Sequence, residues 1–395
     1  MPSNSELQPA KDPNPVDCHQ VEAADAAAVP KNPAINRLFR ACCKLGASDL
    51  HLKADSPPRF RLPKGIRTAQ EPPLSSDEIE SMLFEVITET QKKYFFEHGA
   101  LDFAHQVPDL DRFRVNMFRQ RGMTSVAARR VTKEIKTFEE LGLPPILRDV
   151  SKFHQGLVLL AGITGSGKST TIAAMINEIN ESRACHIVTI EDPIEYIFED
   201  KKAFINQREI GIDVQDFHAA LKYLMREDPD VVLVGELRDR ETFEAAMHAS
   251  ETGHLVLGTI HASSASQTIT RILDLFPEEA RSLIRQSLVF NLKSVICQKL
   301  LSCIQPGRAR IPCCEIMITN ASIRKLIAEG RDFEITSVLK TATEEGMQDF
   351  TEALFLLIDG EHLDMKVAME VAPNPDELKM RLKGIRSGAS SSILG

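Results

Sequence analysis

The stretch GLVLLAGITGSGKSTTIAAMINEINES, residues 156–182, decides the fold. Its apolar run 156–162 has the unbroken hydrophobicity of a strand buried on both faces, and TTIAAMINEINES reads as a helix. Between them Gly162-Ile-Thr-Gly165-Ser-Gly167-Lys168-Ser169 matches GxxxxGK[ST] in the strand–loop–helix setting that pattern requires. Glycines let the backbone curl with its amides inward, and the helix N-terminus adds positive potential, so the loop is built for polyphosphate. Gly162, Thr164, Gly165, Ser166, Gly167, Lys168, Ser169 and Thr170 are the expected nucleotide-binding set. Lys168 is expected to reach the β- and γ-phosphates of ATP, and the Ser169 hydroxyl to complete a Mg2+ shell.

Toward the C-terminus, 185–190, 230–235 and 254–260 are further apolar runs separated by helical stretches. Strands alternating with helices predict an α/β domain with a parallel sheet. Hydrolysis needs a carboxylate at a neighbouring strand end, and DPDVVLVGE supplies Glu236 as general base or water-orienting residue. Asp230 starts that strand at its far end. Glu191-Asp192-Pro193 ends the 185–190 run, with Glu195 two residues past the proline; these acids suit either turn chemistry or metal and water positioning. His254 and His261 bracket the 254–260 strand, and each reads either as structural or as a sensor of the γ-phosphate. Residues 278–360 read as largely helical.

Toward the N-terminus, NRLFRACCKLG predicts a helix closed by Gly46, and DLHLK and RFRL alternate as strands do. A small mixed α/β domain is expected over 35–136, the ATPase domain over 137–360, and tails at 1–34 and 361–395. The segment 111–131 carries arginines at 112, 114, 119, 121, 129 and 130 with no acid after Asp111. This strip is either a solvated sheet face or a surface facing phosphate.

A net charge of −9 lacks the positive field most nucleic-acid binders use, so no direct nucleic-acid partner is expected. No signal-like N-terminus and no run of 18 apolar residues predict a chain of the reducing cytoplasm. Cys297, Cys303, Cys313 and Cys314 cluster without a CxxC pair, which favours apolar packing over zinc.

The strand-end features, in order GITGSGKS, IEDPIEY (190–196), LVGELRD (233–239) and TGHLVLGTIH (252–261), resemble the secretion-type ATPases of type II secretion, type IV pili and conjugation. The pilus-retraction (twitching-motility, PilT/PilU-like) branch resembles this chain from about Ile35 to Gly360, through GASDLHL, RFRVNMF, EELGLPP, NQREIGID and REDPDVVLVGE. The resemblance implies a PAS-like N-terminal domain, a RecA-like ATPase domain with a helical C-terminal part, and a homohexameric ring holding ATP at the cleft between domains. It assigns Glu191 to the aspartate box, Glu236 to catalysis, His254 and His261 to coupling, and Arg114 and Arg129 to the γ-phosphate. It also implies work at the cytoplasmic face of the inner membrane with a pilus platform protein, and possible pairing with a paralogous retraction ATPase. SIRKLIAE (322–329) stands where that branch has its C-terminal helix, with Ile323, Leu326 and Ile327 on one apolar face.

Overall fold

A computed structural model describes residues 32–62, 65–131 and 133–384. The chain divides after Val131 into two compact units. Most of the expected 1–34 tail and the last eleven residues lie outside the described residues.

The N-terminal unit is built on an antiparallel sheet of β1 (Asp49–Lys53), β2 (Arg59–Leu62), β3 (Gly65–Thr68), β4 (Ala100–Gln106), β5 (Arg112–Gln120) and β6 (Met123–Val131), in the order β3-β2-β1-β6-β5-β4. Strand alternation sends Leu50, Leu52, Phe113, Val115, Met117, Val126 and Ala128 into a core shared with Leu38, Phe39 and Cys42 of the helix Asn36–Lys44. The same alternation puts Asp49, Arg61, Arg114 and Arg129 on the opposite face.

The second unit carries β7 (Gly156–Ala161), β8 (His186–Glu191), β9 (Phe204–Glu209), β10 (Val231–Val234), β11 (Leu255–Ile260), β12 (Leu292–Ser302) and β13 (Arg310–Ile318), in the order β13-β12-β7-β11-β10-β8-β9. From β12 to β9 the neighbours pair in parallel. Every residue of β7, β10 and β11 is buried, because helices cover both faces of this sheet.

Two expectations are corrected. Residues 278–360 are helical over more than half their length, as expected, but not throughout: β12 and β13 form an antiparallel hairpin that extends the sheet beside β7. Most of their side chains are buried, in unbroken runs, so the sequence shows little of the alternation that marks a half-exposed strand. Cys297, Cys313 and Cys314 belong to this hairpin, and burial pushes their thiols up, Cys313 to about 12. Nor is 361–384 a tail. It forms the helices Met365–Val371 and Pro375–Leu382, which bury Leu363, Ala368 and Leu378 in the main core. Arg381 grips Glu352 through two hydrogen bonds of 2.8 Å and so ties the last helix down.

Glu315 on β13 is a buried carboxyl. It accepts from the first amides of two helices, Ala265 N at 2.7 Å and Phe350 N, donors that have no partner within their own helices. Burial pushes its pKa up to about 7. A carboxyl raised on folding contributes stability that is complete below its unfolded pKa near 4.5 and is lost as pH rises through 7. That shift corresponds to about 3 kcal/mol. Glu315→Gln is therefore expected to flatten the fall in stability between pH 5 and 7.5, measured by denaturant unfolding at the two pH values; an unchanged slope would remove Glu315 as its cause.

Candidate active site

The site grows from the carboxyl edge of the parallel sheet, where β7, β8, β10 and β11 all end. Beyond Ala161 the chain turns through Gly162, Gly165 and Gly167 at φ of 153°, 79° and 89°, and then enters the helix Lys168–Ser182. A side chain at Gly162 would meet the Gln298 carbonyl at 2.6 Å, and one at Gly167 would meet the Gln298 amide nitrogen at 2.8 Å. Lys168 folds over its own loop and donates from Nζ to the carbonyls of Gly162 at 2.7 Å and Ile163 at 3.1 Å. Burial lowers its pKa, while the nearby charges of Glu236 and Glu195 oppose that shift. The buried Ser166 hydroxyl has no partner among the described residues.

Two strands away in the sheet, Gly235 lets β10 end against β8, since a side chain there would meet Ile190 O at 3.1 Å and Glu191 Cα at 3.3 Å. Glu236 then emerges with one carboxylate oxygen accepting from Arg238 Nη2 at 2.7 Å and the other 3.2 Å from His261 Nε2. The Arg238 hydrogen bond is the largest influence on Glu236 and holds its pKa below the ordinary carboxylate value. Glu236 is thus an ionised base at neutral pH.

Glu191 and Glu195 take different positions. Glu191, the last residue of β8, is buried and accepts from Thr189 Oγ1 at 2.7 Å and Gln207 Nε2 at 3.3 Å; burial pushes its pKa up to about 7. Glu195 instead accepts from the Ser169 hydroxyl at 2.9 Å, and the neighbouring Tyr196 hydroxyl lies 2.7 Å from Thr170 Oγ1. The acid beside the phosphate loop is therefore Glu195, and Glu191 braces the segment that carries it. The readable signal was position: a strand's final residue faces into the packed sheet, whereas a residue beyond the proline is free to reach out.

The two histidines are separated in the same way. His261 follows the carboxyl end of β11, beside Glu236. His254 precedes β11 at the opposite sheet edge, where its carbonyl accepts from Gly156 N at 3.0 Å and its Nδ1–H donates to Ala249 O at 2.9 Å. The strand between them places His254 roughly 20 Å from the loop end of the sheet. It closes the end of the helix Arg240–Glu251 and touches no group of the site. Asp230 lies at that same far edge, accepting from His186 N at 2.8 Å.

In the N-terminal unit, Arg114 and Arg129 stand directly opposite each other on β5 and β6. Like charges in that register are unfavourable. Asp49, opposite Arg129 on β1, accepts from its Nε at 3.0 Å, whereas no acid pairs with Arg114 among the described residues. Missed altogether in the sequence were Arg238 and Gln298, whose roles depend on strands meeting in space.

A model of the Type II/IV secretion system protein family matches residues 22–325. The type IV pilus retraction ATPase PilT of Pseudomonas aeruginosa is 42% identical over 342 residues, covering 87% of this chain and 99% of the relative. PilU of the same organism is 36% identical over 347 residues, covering 88% and 91%, and a twitching motility protein of Neisseria gonorrhoeae is 40% identical over 321 residues, covering 81% and 86%. Among solved structures, the pilus retraction motor PilT with bound ADP matches with a TM-score of 0.81 at 41% identity, covering 87% of this chain and 98% of that one. The Legionella pneumophila ATPase DotB, at 23% identity and a TM-score of 0.72, shares the fold. With its phosphate loop at the end of one parallel strand and an ionised glutamate at the end of another two strands away, this chain belongs to the Type II/IV secretion system protein family.

Proposed function

We propose that the chain is an ATP-hydrolysing subunit of a homohexameric motor powering type IV pilus retraction. The observation that carries this reading is the convergence of Lys168, Glu195 and Glu236 at one sheet edge, in a chain so similar to PilT along its length. Lys168 exchanges its two loop carbonyls for phosphate oxygens. The Ser169 hydroxyl and Glu195 carboxylate form an oxygen donor pair that suits a hard cation, so they would hold Mg2+. When bound, that ion would neutralise charge on the β- and γ-phosphate oxygens. Glu236 accepts the proton of the attacking water, while Arg238 and His261 keep its carboxylate oriented.

Arg114 and Arg129 enter through the resemblance, which assigns such arginines to the γ-phosphate. Arg129 is already paired with Asp49, so Arg114 is the one free to act. Arg114→Ala is expected to lower turnover in the assembled ring at least about tenfold with ADP affinity unchanged, by loss of transition-state charge stabilisation. Equal turnover in a phosphate-release assay would remove Arg114 from the mechanism.

No helix among the described residues is long and apolar enough to cross a membrane. Association with the inner membrane would therefore come through the pilus machine, with its platform protein and a paralogous retraction ATPase as partners. The higher identity to PilT than to PilU supports the role of principal motor. The test is phosphate release by the purified chain with and without single-stranded DNA, beside retraction in cells carrying the chain. Turnover independent of DNA is expected; many-fold stimulation by DNA would replace this reading with a nucleic-acid translocase.

A further inference from the structure

A loop with glycines at three of its six positions has little conformational preference of its own, so something outside it must select the form in which its amides point at phosphate. Gln298 does this from behind. β12 pairs in parallel with β7, Cys297 standing opposite Ala161, so the next residue of β12 lies level with the start of the loop. Its side chain is buried, and its Nε2 donates to the carbonyl of Ser166 at 2.8 Å. Its Oε1 accepts from the Thr171 hydroxyl at 2.8 Å, one turn into the following helix. The Cys314 thiol lies 3.8 Å from the same oxygen. The Ser166 carbonyl, which can only accept, fixes which way round the amide sits and leaves Oε1 to accept from the Thr171 hydroxyl.

The consequence follows from peptide geometry. In a trans peptide the carbonyl and the amide hydrogen point in opposite directions. Anchoring the Ser166 carbonyl toward β12 turns the Gly167 N–H the other way, toward the side on which the loop receives phosphate. The close approach also bears on two of the glycines: a side chain at Gly167 would meet the side-chain amide nitrogen of Gln298, and one at Gly162 would meet the Ser166 hydroxyl and the backbone carbonyl of Gln298.

We infer that Gln298 is a positioning residue for nucleotide binding: its side-chain amide sets the orientation of the Ser166–Gly167 peptide and joins the phosphate loop to the first turns of its helix. This rests on reading residues 162–169 as the nucleotide loop. Gln298→Met keeps the side-chain shape and removes both hydrogen bonds. Gln298→Glu keeps an acceptor for Thr171 but sets a carboxylate oxygen against the Ser166 carbonyl.

The experiment measures MgADP affinity of the full-length assembled protein with a fluorescent ADP analogue, the KM and kcat for ATP, and the melting temperature without nucleotide, with Lys168→Ala alongside. Both Gln298 variants are expected to weaken ADP binding and raise KM about tenfold, while kcat at saturating ATP stays within about threefold. Thr171→Val, which removes one of the two hydrogen bonds that hold the amide in place, is expected to weaken binding about threefold and serves if the Gln298 variants do not fold. A lower melting temperature with unchanged ADP affinity would give Gln298 a merely structural role and overturn the inference. So would unchanged affinity in Thr171→Val when that variant alone folds. Lost binding in Lys168→Ala beside intact binding in the Gln298 variants overturns this inference alone; intact binding in Lys168→Ala overturns the reading of the loop and the inference with it.

Discussion

Glu236→Gln should abolish steady-state ATP hydrolysis, lowering kcat by about 10² to 10³, while ATP and ADP bind within about threefold of wild type. The amide has the shape of the carboxylate and can still accept from Arg238, so the strand end keeps its form. What it cannot do is take a proton. The loss should therefore fall on turnover, not on binding, which a phosphate-release assay and a nucleotide-binding titration separate. The pH dependence has a definite sign. Because the Arg238 hydrogen bond depresses the Glu236 pKa, the carboxylate is ionised throughout the neutral range, and deactivation through this group appears only as pH falls below its ordinary value of 4.5. Undiminished hydrolysis by the variant would move the proton acceptor elsewhere, with Glu195 the next carboxylate to test.

Lys168→Ala should reduce ATP affinity by about 10² or more, through loss of a charge-assisted contact to phosphate in a partly desolvated site. The resting position of the side chain adds to this effect. Lys168 satisfies the carbonyls of Gly162 and Ile163, so its removal also frees the loop backbone that must receive the nucleotide. Little change in global stability is expected, because burial already disfavours this ammonium. Nucleotide-induced thermal stabilisation should disappear in the variant; a thermal shift equal to that of wild type would show that phosphate is held without the lysine.

The legible parts of the sequence were those in which local pattern and chemistry coincide. β7, β8, β10 and β11 are short apolar runs bounded by glycine and acids, and their order is enough to predict the parallel sheet and to put Lys168 and Glu236 at one edge. SIRKLIAE also folds as its spacing predicts, with Ile323, Leu326 and Ile327 buried in the helix Ala321–Glu329. The hairpin β12–β13 was not legible, because burial on both faces erases the period that tells strand from helix. Within the site, residue type alone could not separate Glu191 from Glu195, or His254 from His261. Each pair differs in strand direction: one member lies within or before a strand, the other past its carboxyl end. Gln298 is illegible for another reason. It acts across 132 residues of chain on a carbonyl, and backbone groups leave no mark in a sequence.

The hydrogen bond from Ser169 to Glu195 has a consequence for which form of nucleotide this protein admits. A polyphosphate arriving without a cation would bring its negative charge up to a carboxylate held beside the loop, and Ser169 would have to give up its acceptor with nothing in exchange. Accompanied by a divalent ion, the same polyphosphate turns that carboxylate from a repelling group into an attracting one. On the proposed reading of the site, Glu195 would thereby act as a filter at the entrance, and free ATP would be a poor competitor of its metal complex before any chemistry begins.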